Sequence, residues 1–138
     1  MAAELYVALI HAPVYNKHME IIATSITNLD LHDIARSAAT FGVQSYYVVH
    51  PAPSQQDLAR RIMSFWREGY GAEYNPDRYE AFARVRLVST LQQALEEISA
   101  EQKGKKIYTV ATDARQYPNT IEYRALRQML EQTDDVFV

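Results

Sequence analysis

Apolar runs of strand length alternate with amphipathic segments along this chain, and this alternation constrains the fold more than any other feature. The almost continuously hydrophobic runs lie at 5–10, 46–50, 85–88 and 107–111. Strands of this kind are buried on both faces, as in a parallel sheet with helices packed on each side. The sequence therefore predicts a doubly wound α/β fold, with ligands expected outside the carboxyl ends of the strands.

The segments between these runs have the apolar spacing of helices, each preceded by residues that favour a helix start. Helices are predicted at 30–41, 55–68, 76–82, around 91–98, and at 121–132. The predicted N-caps are Asp30 with Asp33 as its capping-box partner, Ser54, Asn75, and either Ser89 or Thr90. A loop at 11–20 and an extended segment at 21–27 are expected to lead into the first helix.

All 138 residues are predicted to form a single domain, because the length suits one domain and no repeat, low-complexity segment or linker interrupts it. Residues 136–138 look like the opening of a further strand. Since a doubly wound domain rarely stops inside a strand, the sequence is expected to be part of a longer functional unit that is incomplete at its C-terminus.

Composition and missing motifs exclude several classes of function. The net charge of −3 excludes a uniformly basic surface, so any contact with RNA must use a local patch. Cysteine is absent and the four histidines lack the spacing of metal ligands, so no metal is expected. There is no G-x-G-x-x-G, Walker A or G-x-S-x-G motif. The N-terminus resembles neither a signal peptide nor a membrane span, so a cytoplasmic protein without membrane contact is expected.

The stretch 28–42 carries a dense group of polar side chains at a predicted helix start, where the helix dipole favours anions. The group consists of Asn28, Asp30, His32, Asp33 and Arg36. Asp30 and Asp33 are candidates for a general base or a substrate hydrogen-bond acceptor, with helix capping as the alternative for Asp30. His32 is either a proton-transfer group or a solvent-exposed residue, and Asn28 either contacts substrate or holds the loop. His11, His50 and the loop 112–115 are expected at the same edge of the sheet.

Basic and aromatic residues are interleaved on the second predicted helix and the loop after it. This cluster consists of Arg60, Arg61, Trp66, Arg67, Tyr70, Tyr74 and Asn75. Such interleaving suits phosphate contact and base stacking in RNA recognition, so Arg61, Arg67 and Asn75 are substrate-binding candidates. The alternative is a mixed helix face with Trp66 in the core, which is favoured for that residue, and with Arg67 paired with Glu68 or Asp57.

Residues 34–42, I-A-R-S-A-A-T-F-G, resemble the first motif of SPOUT-class RNA methyltransferases, in which an Asn precedes an I-x-R-[ST]-A-x-x-F-G helix. The residues on the motif positions are Arg36, Ser37, Ala38, Phe41 and Gly42. Asp30 stands where the motif has Asn, and His32 and Asp33 stand where it has small residues. VALIHAPV at 7–14, TNLDLHDIAR at 27–36 and FWREGYGAEYNP at 65–76 are similar to one bacterial subgroup of SAM-dependent RNA methyltransferases.

This resemblance implies a SPOUT-type fold: a Rossmann-like parallel sheet with helices on both faces and a C-terminal trefoil knot. The knot supplies most of the S-adenosylmethionine pocket, and its Gly-rich loop would follow Val138, so the knot is expected to be missing from this sequence. The resemblance also implies S-adenosylmethionine as cofactor, tRNA or rRNA as substrate, and a homodimer.

The resemblance further assigns roles to particular residues. It places Arg36 at the active site, where its guanidinium would orient a ribose or phosphate; the alternative is a surface pair with Asp33 or Asp30. It places the loop Thr112, Asp113 and Ala114 at the cofactor pocket, with an ordinary loop as the alternative.

Two classes of function are therefore expected to compete. The first is a SAM-dependent RNA methyltransferase that works by direct displacement, with catalysis mostly from positioning and from acid–base help. The second is a Rossmann-like module that binds RNA or a partner subunit without chemistry. Cofactor binding, and the loss of methylation in Arg36→Ala, distinguish the two.

Overall fold

The computed structural model describes residues 3–68 and 70–138, and is an α/β structure with parallel sheets. Its strands are β1 (Glu4–Leu5), β2 (Val7–Ile10), β3 (Val14–Tyr15), β4 (Ile21–Ile22), β5 (Tyr46–Val49), β6 (Val85–Val88), β7 (Ile107–Tyr108) and β8 (Val136–Phe137). Its helices are α1 (Asn28–Thr40), α2 (Pro53–Arg67), α3 (Tyr70–Tyr74), α4 (Pro76–Phe82), α5 (Leu91–Glu101) and α6 (Tyr123–Gln132).

The segment 4–10 lies at the centre of the parallel strands. Its β1 part pairs with β8 in the order β1-β8-β7, and its β2 part pairs with β5 in the order β2-β5-β6. The N–H of Tyr6 donates to the carbonyl of Phe137 at 2.8 Å, and the N–H of Val7 donates to the carbonyl of Ser45 at 3.1 Å. Neighbouring N–H groups of an extended strand point to opposite sides, so this segment joins the two groups of strands into one arrangement.

Helices cover both faces of the strands, as the apolar runs predicted. Tyr46 and Val48 pack into a core cluster with buried residues of α1, α2 and α4. Tyr47 and Val49 point the other way and pack with Ala94 and Ile98 of α5. All four residues of β5 are buried, because alternate side chains of a central strand reach opposite faces and both faces are covered.

Two predicted helix caps are wrong, and each has a local cause. Thr27, not Asp30, is the N-cap of α1: its backbone is extended, and its hydroxyl accepts the N–H of Asp30 at 3.1 Å. The helix α2 begins at Pro53 with Ala52 as its N-cap, so Ser54 lies inside the first turn. Proline at the first helical position has a fixed φ that suits a helix start, which explains the shift.

Other sequence predictions are confirmed or need small corrections. Asn75 caps α4 by accepting the N–H of Arg78 at 3.2 Å, and Thr90 caps α5. The predicted loop 11–20 and extended segment 21–27 contain an antiparallel pair, β3 with β4. The strand predicted at 107–111 is shorter, and α6 begins two residues later than position 121.

Hydrogen bonds position the start of α1 against the strands. The side chain of Gln55 accepts the N–H of Ile26 at 2.7 Å, which holds the segment before α1 against α2. The hydroxyl of buried Tyr46 donates to the carbonyl of Asp30 at 3.3 Å. These bonds hold the segment before α1 against α2, and the first turn of α1 against β5.

Candidate active site

Two buried histidines follow neighbouring strands at the predicted edge of the sheet, and one of them, His11, faces the start of α1. His11 follows β2 and His50 follows β5, both are buried, and their ring centroids are 6.0 Å apart. The Nε2 atom of His11 lies 3.9 Å from Oδ2 of Asp30, whose side chain is 35% exposed. The structure thus brings Asp30 together with two histidines at the carboxyl ends of the strands.

His50 is held in one neutral tautomer by backbone partners. Its Nε2 lies 2.9 Å from the carbonyl oxygen of Thr24 and must donate to it, because a carbonyl can only accept. Its Nδ1 accepts the N–H of Ala52 at 3.0 Å. With both nitrogens engaged by the backbone, His50 links the extended segment that leads into α1 with the residue before α2.

His11 is arranged differently, because one of its ring nitrogens has no partner. Its Nδ1 lies 2.9 Å from the hydroxyl oxygen of Thr24, and that hydroxyl donates to the carbonyl of His11 at 3.2 Å. Nδ1 is therefore the donor, and Nε2 carries the free lone pair. Within the described part of the chain, this buried Nε2 has no hydrogen-bond partner. Burial lowers the pKa of His11, with an opposing effect from Asp30 and a further lowering from His50.

Three of the predicted substrate-binding residues line one depression of about 520 Å³ between α1 and α2. They are Asn28, His32 and Arg61. The remaining walls are formed by Ile62, Phe65 and Trp66. An aromatic wall beside a guanidinium and two polar side chains suits a flat polar ring with an attached phosphate.

Trp66 packs in the core, as the sequence favoured, and also lines the depression. It is half-buried and packs against the core cluster, while part of its ring faces the depression. The guanidinium of Arg78 lies 4.4 Å from the centroid of its ring. This cation–π contact fixes the indole from the side of α4.

His32 is half-buried and is not the solvent-exposed residue that the sequence offered as one alternative. Its ring makes edge contacts with Trp66 at 5.3 Å and Phe82 at 5.0 Å, measured between centroids. Its Nδ1 is buried, and no described residue forms a hydrogen bond with it. Burial lowers the pKa of His32, and the positive charge of Arg78 adds to this effect. His32 is therefore neutral at physiological pH, so its accessible face can accept or donate a hydrogen bond.

Asp33 and Arg36 line a second hollow of about 330 Å³, farther along α1, together with Ser37, Thr40 and Phe41. The side chain of Arg36 is exposed and makes no hydrogen bond or ion pair with any residue of 3–68 or 70–138. The surface pair with Asp33 or Asp30 is therefore not formed. A free guanidinium beside a carboxylate is available to a phosphate or a ribose.

Three other members of the basic and aromatic cluster, Arg60, Arg67 and Tyr74, are exposed. Arg67 is exposed in the last turn of α2 and is not paired with Asp57, whose partner is Arg60 at 3.0 Å. Asn75 uses its side chain to cap α4. Tyr74 is exposed, and the side chain of Tyr70 lies outside the described residues.

The loop of Thr112, Asp113 and Ala114 follows β7 and is exposed. The carboxylate of Asp113 accepts the N–H of Arg115 at 2.9 Å and the hydroxyl of Tyr117 at 3.2 Å. The backbone bond from Arg115 is the main cause of a lowered pKa of Asp113, so the carboxylate stays ionised. No hydrogen bond joins this loop to the start of α1 among the residues the structure describes.

Thr24 is the site residue that sequence reasoning missed. It contacts both histidines, through its hydroxyl and its carbonyl, and so connects the ends of β2 and β5. A single threonine in an extended segment has no sequence signal for this role. Residues 3–68 and 70–138 contain no group of three side chains suited to a metal and no helix long and apolar enough to cross a membrane.

Comparison with known proteins relates the chain to RNA-modifying proteins. A family model described as SAM-dependent RNA methyltransferase matches residues 4–138. A protein of Aquifex aeolicus described as uncharacterized is 41% identical over 130 residues, which are 94% of this chain and 63% of that protein. The tRNA (guanine-N(1)-)-methyltransferases of Oleidesulfovibrio alaskensis and Nitratidesulfovibrio vulgaris are 40% and 41% identical over 128 residues. The match covers 93% of this chain but 30% of each of those two proteins, so the chain spans less than two thirds of all three relatives.

Proposed function

Because this chain belongs to the family of SAM-dependent RNA methyltransferases, we propose that it transfers a methyl group from S-adenosylmethionine to a nucleotide of tRNA or rRNA. The family match over residues 4–138 is the observation that carries this proposal. The polar start of α1 supports it, since this group lies at the carboxyl ends of parallel strands, where such sheets bind ligands. Residues 1–138 are proposed to belong to one SPOUT-like domain.

The depression between α1 and α2 is the proposed site for the nucleotide. Its aromatic wall of Phe65 and Trp66 offers a stacking surface, and Arg61 offers a guanidinium for a phosphate. Asn28 and neutral His32 reach the same space and can hydrogen-bond to a base or ribose edge. Arg67 and Asn75 are proposed to contact the RNA outside the depression.

Arg36, Asp33 and Asp30 are the proposed catalytic residues. The unpaired guanidinium of Arg36 would hold a ribose or phosphate with two parallel hydrogen bonds, which fixes the attacking atom in place. The carboxylates of Asp33 and Asp30 would accept a hydrogen bond, or the proton, from that atom. Positioning then supplies most of the rate acceleration.

The loop after β7 is proposed to contact the cofactor through Thr112, Asp113 and Ala114. The chemistry of this loop fits S-adenosylmethionine, since an ionised carboxylate suits the positive charges of the sulfonium and ammonium groups. When bound, the cofactor supplies an electrophilic methyl group. Exposed backbone in the same loop offers N–H and carbonyl groups for further polar contacts.

The proposal also includes an oligomeric state and a cellular location. A homodimer is proposed, with exposed apolar side chains such as Leu29 and Phe41, at 72% and 78% exposure, available for association. The cytoplasm is the proposed location, because RNA substrates occur there.

The test is methyl transfer by the full-length protein from labelled S-adenosylmethionine to total tRNA and rRNA. Arg36→Ala is expected to lower kcat/KM by about 100-fold or more, as the loss of a well-placed charged donor does at other active sites. Arg127→Ala is the matched control, because Arg127 forms an exposed pair with Glu131 on α6. Its activity should equal that of the unaltered protein.

The competing function gives a different set of results. If the unaltered protein binds RNA but neither binds S-adenosylmethionine in calorimetry nor methylates any RNA, the chain is a binding module. If Arg36→Ala methylates at the normal rate, the role assigned to Arg36 is wrong although the activity stands.

A further inference from the structure

The pair of His11 and Asp30 has a geometry that packing alone does not explain. Asp30 is partly exposed at the start of α1, and buried His11 lies directly behind it. The buried Nε2 of His11 has no hydrogen-bond partner among the described residues and lies 3.9 Å from Oδ2 of Asp30. A buried acceptor without a partner costs on the order of 1–3 kcal/mol, so its presence beside a carboxylate needs an explanation.

The surroundings of His11 fix which nitrogen can take up a proton. The hydroxyl of Thr24 occupies Nδ1, and the ring cannot use this atom as an acceptor without breaking the bond from Thr24 to the carbonyl of His11. The titratable or charged groups that face His11 are Asp30, on α1, and His50, after β5. Backbone bonds occupy both ring nitrogens of His50, so Asp30 is the group that can exchange a proton with Nε2 of His11.

We propose that His11 is a positioning residue that completes a proton relay with Asp30, so that the proton lost by the methylated nucleotide passes through Asp30 to Nε2 of His11. This inference rests on the proposed methyl transfer and adds the route of the proton to it. The structure assigns the exposed end of the relay to Asp30 and the buried end to His11.

The atoms and electrons of the step balance. A nitrogen or oxygen of the nucleotide forms a bond to the methyl carbon, and the carbon–sulfur bond breaks with its electron pair left on sulfur. The N–H or O–H proton of the nucleotide goes to Oδ2 of Asp30. Transfer to Nε2 of His11 then leaves a carboxylate beside an imidazolium, which favour each other electrostatically, and the proton later leaves to water.

The coupling of the two residues can be measured without any substrate. In the full-length protein, nitrogen-detected NMR follows the imidazole signals of His11 as the pH is lowered. The unaltered protein should take up the proton at Nε2, and it should do so at higher pH than Asp30→Asn, which lacks the carboxylate that stabilises the imidazolium. A titration of His11 that is unchanged in Asp30→Asn overturns the proposal.

The role in the reaction is measured with His11→Asn. The amide of asparagine can still donate to Thr24 as Nδ1 does, but it has no atom that can take up a proton in place of Nε2. We expect methyl transfer to fall by about 100-fold, within the usual range for acid–base groups, and the acid limb of the kcat/KM profile to move to lower pH. His18→Asn is the control, because His18 is exposed and its N–H donates to the side chain of Asn16 rather than to His11 or Asp30.

The outcomes separate this proposal from the proposed function. A His11→Asn protein with the normal rate and pH profile overturns the relay, while the methyltransferase function stands. An unaltered protein without methyl transfer overturns both. A lowered rate with an unshifted pH profile indicates a purely structural role for His11 and also overturns the relay.

Discussion

At the scale of single residues, two histidines with buried ring nitrogens, His11 and His32, make the stability of this protein depend on pH. Burial holds the pKa of both His11 and His32 below the ordinary value of 6.5. Just below that pH, the unfolded chain binds more protons than the folded chain does. The stability that these two neutral rings contribute is therefore fully present above the pKa of histidine in the unfolded chain. It is lost as the pH falls towards the lower pKa values of the two rings in the folded protein.

We expect the free energy of unfolding to decline as the pH is lowered from about 6.5 towards 5. Urea unfolding at a series of pH values measures this decline. His11→Asn should make the decline shallower, since one of the two responsible rings is absent. Equal slopes in His11→Asn and the unaltered protein would contradict the assignment.

At the scale of elements, the end of α2 and the start of α3 approach each other at Gly71. A Cβ atom placed on Gly71 would lie 2.9 Å from the backbone carbonyl carbon of Phe65 and still closer to its oxygen. Backbone atoms cannot move aside as a flexible side chain can. The close approach of these two helices therefore requires a residue without a side chain.

Gly71→Ala is expected to destabilise the protein by about 1–3 kcal/mol, because the two helices must separate to admit the methyl group. Thermal unfolding of the variant and the unaltered protein measures the difference. Since Phe65 also lines the depression between α1 and α2, RNA binding should weaken in the same variant. A variant with an unchanged melting temperature would show that the helices are not held at this distance.

The elements differ in how well the sequence predicts them. The run from Tyr46 to Val49 is apolar without interruption, and such a run predicts a strand that is buried on both faces. The parallel strands and the helices on both faces are therefore predictable from the sequence. The start of α1 is not predictable in this way, because Thr27 and Asp30 are both good N-cap residues. Only the extended backbone at Thr27 decides between them. The helix α2 begins at Pro53, whereas serine is a common N-cap residue, and for this reason the sequence predicted a later start with Ser54 as the N-cap.

The candidate site is predictable as separate groups of residues and not as one place. The polar group at the start of α1 and the basic residues of α2 are each visible in the sequence. That Asn28 and Arg61 share one depression depends on how α1 and α2 pack, which no local pattern states. The link through Thr24 and the unpaired nitrogen of His11 depend on atomic contacts across loops, and for this reason sequence reasoning placed His11 at the right edge without a role.

At the scale of the whole molecule, the central position of segment 4–10 should determine which backbone groups are protected from solvent. The N–H of buried Tyr6 donates a hydrogen bond to the carbonyl of Phe137. The segment that contains Tyr6 has β8 on one side and β5 on the other. We expect it to exchange with deuterium only when the whole structure unfolds, whereas the N–H of Asn16, next to the exposed pair β3 and β4, should exchange through local opening. Native-state hydrogen exchange measured by NMR checks this order, and rapid exchange at Tyr6 would contradict the central placement of the segment.

The same placement has a consequence for the newly made chain. Tyr6 leaves the ribosome well before its partner Phe137, which is synthesised about 130 residues later. Until then, one side of the middle strand has open hydrogen-bonding groups that can pair with other extended chains. The first half can assemble β2 with β5 and β6 early, while β1 must wait for β8. A nascent chain of this protein is therefore expected to need shielding along that open side until β8 is synthesised and pairs with β1.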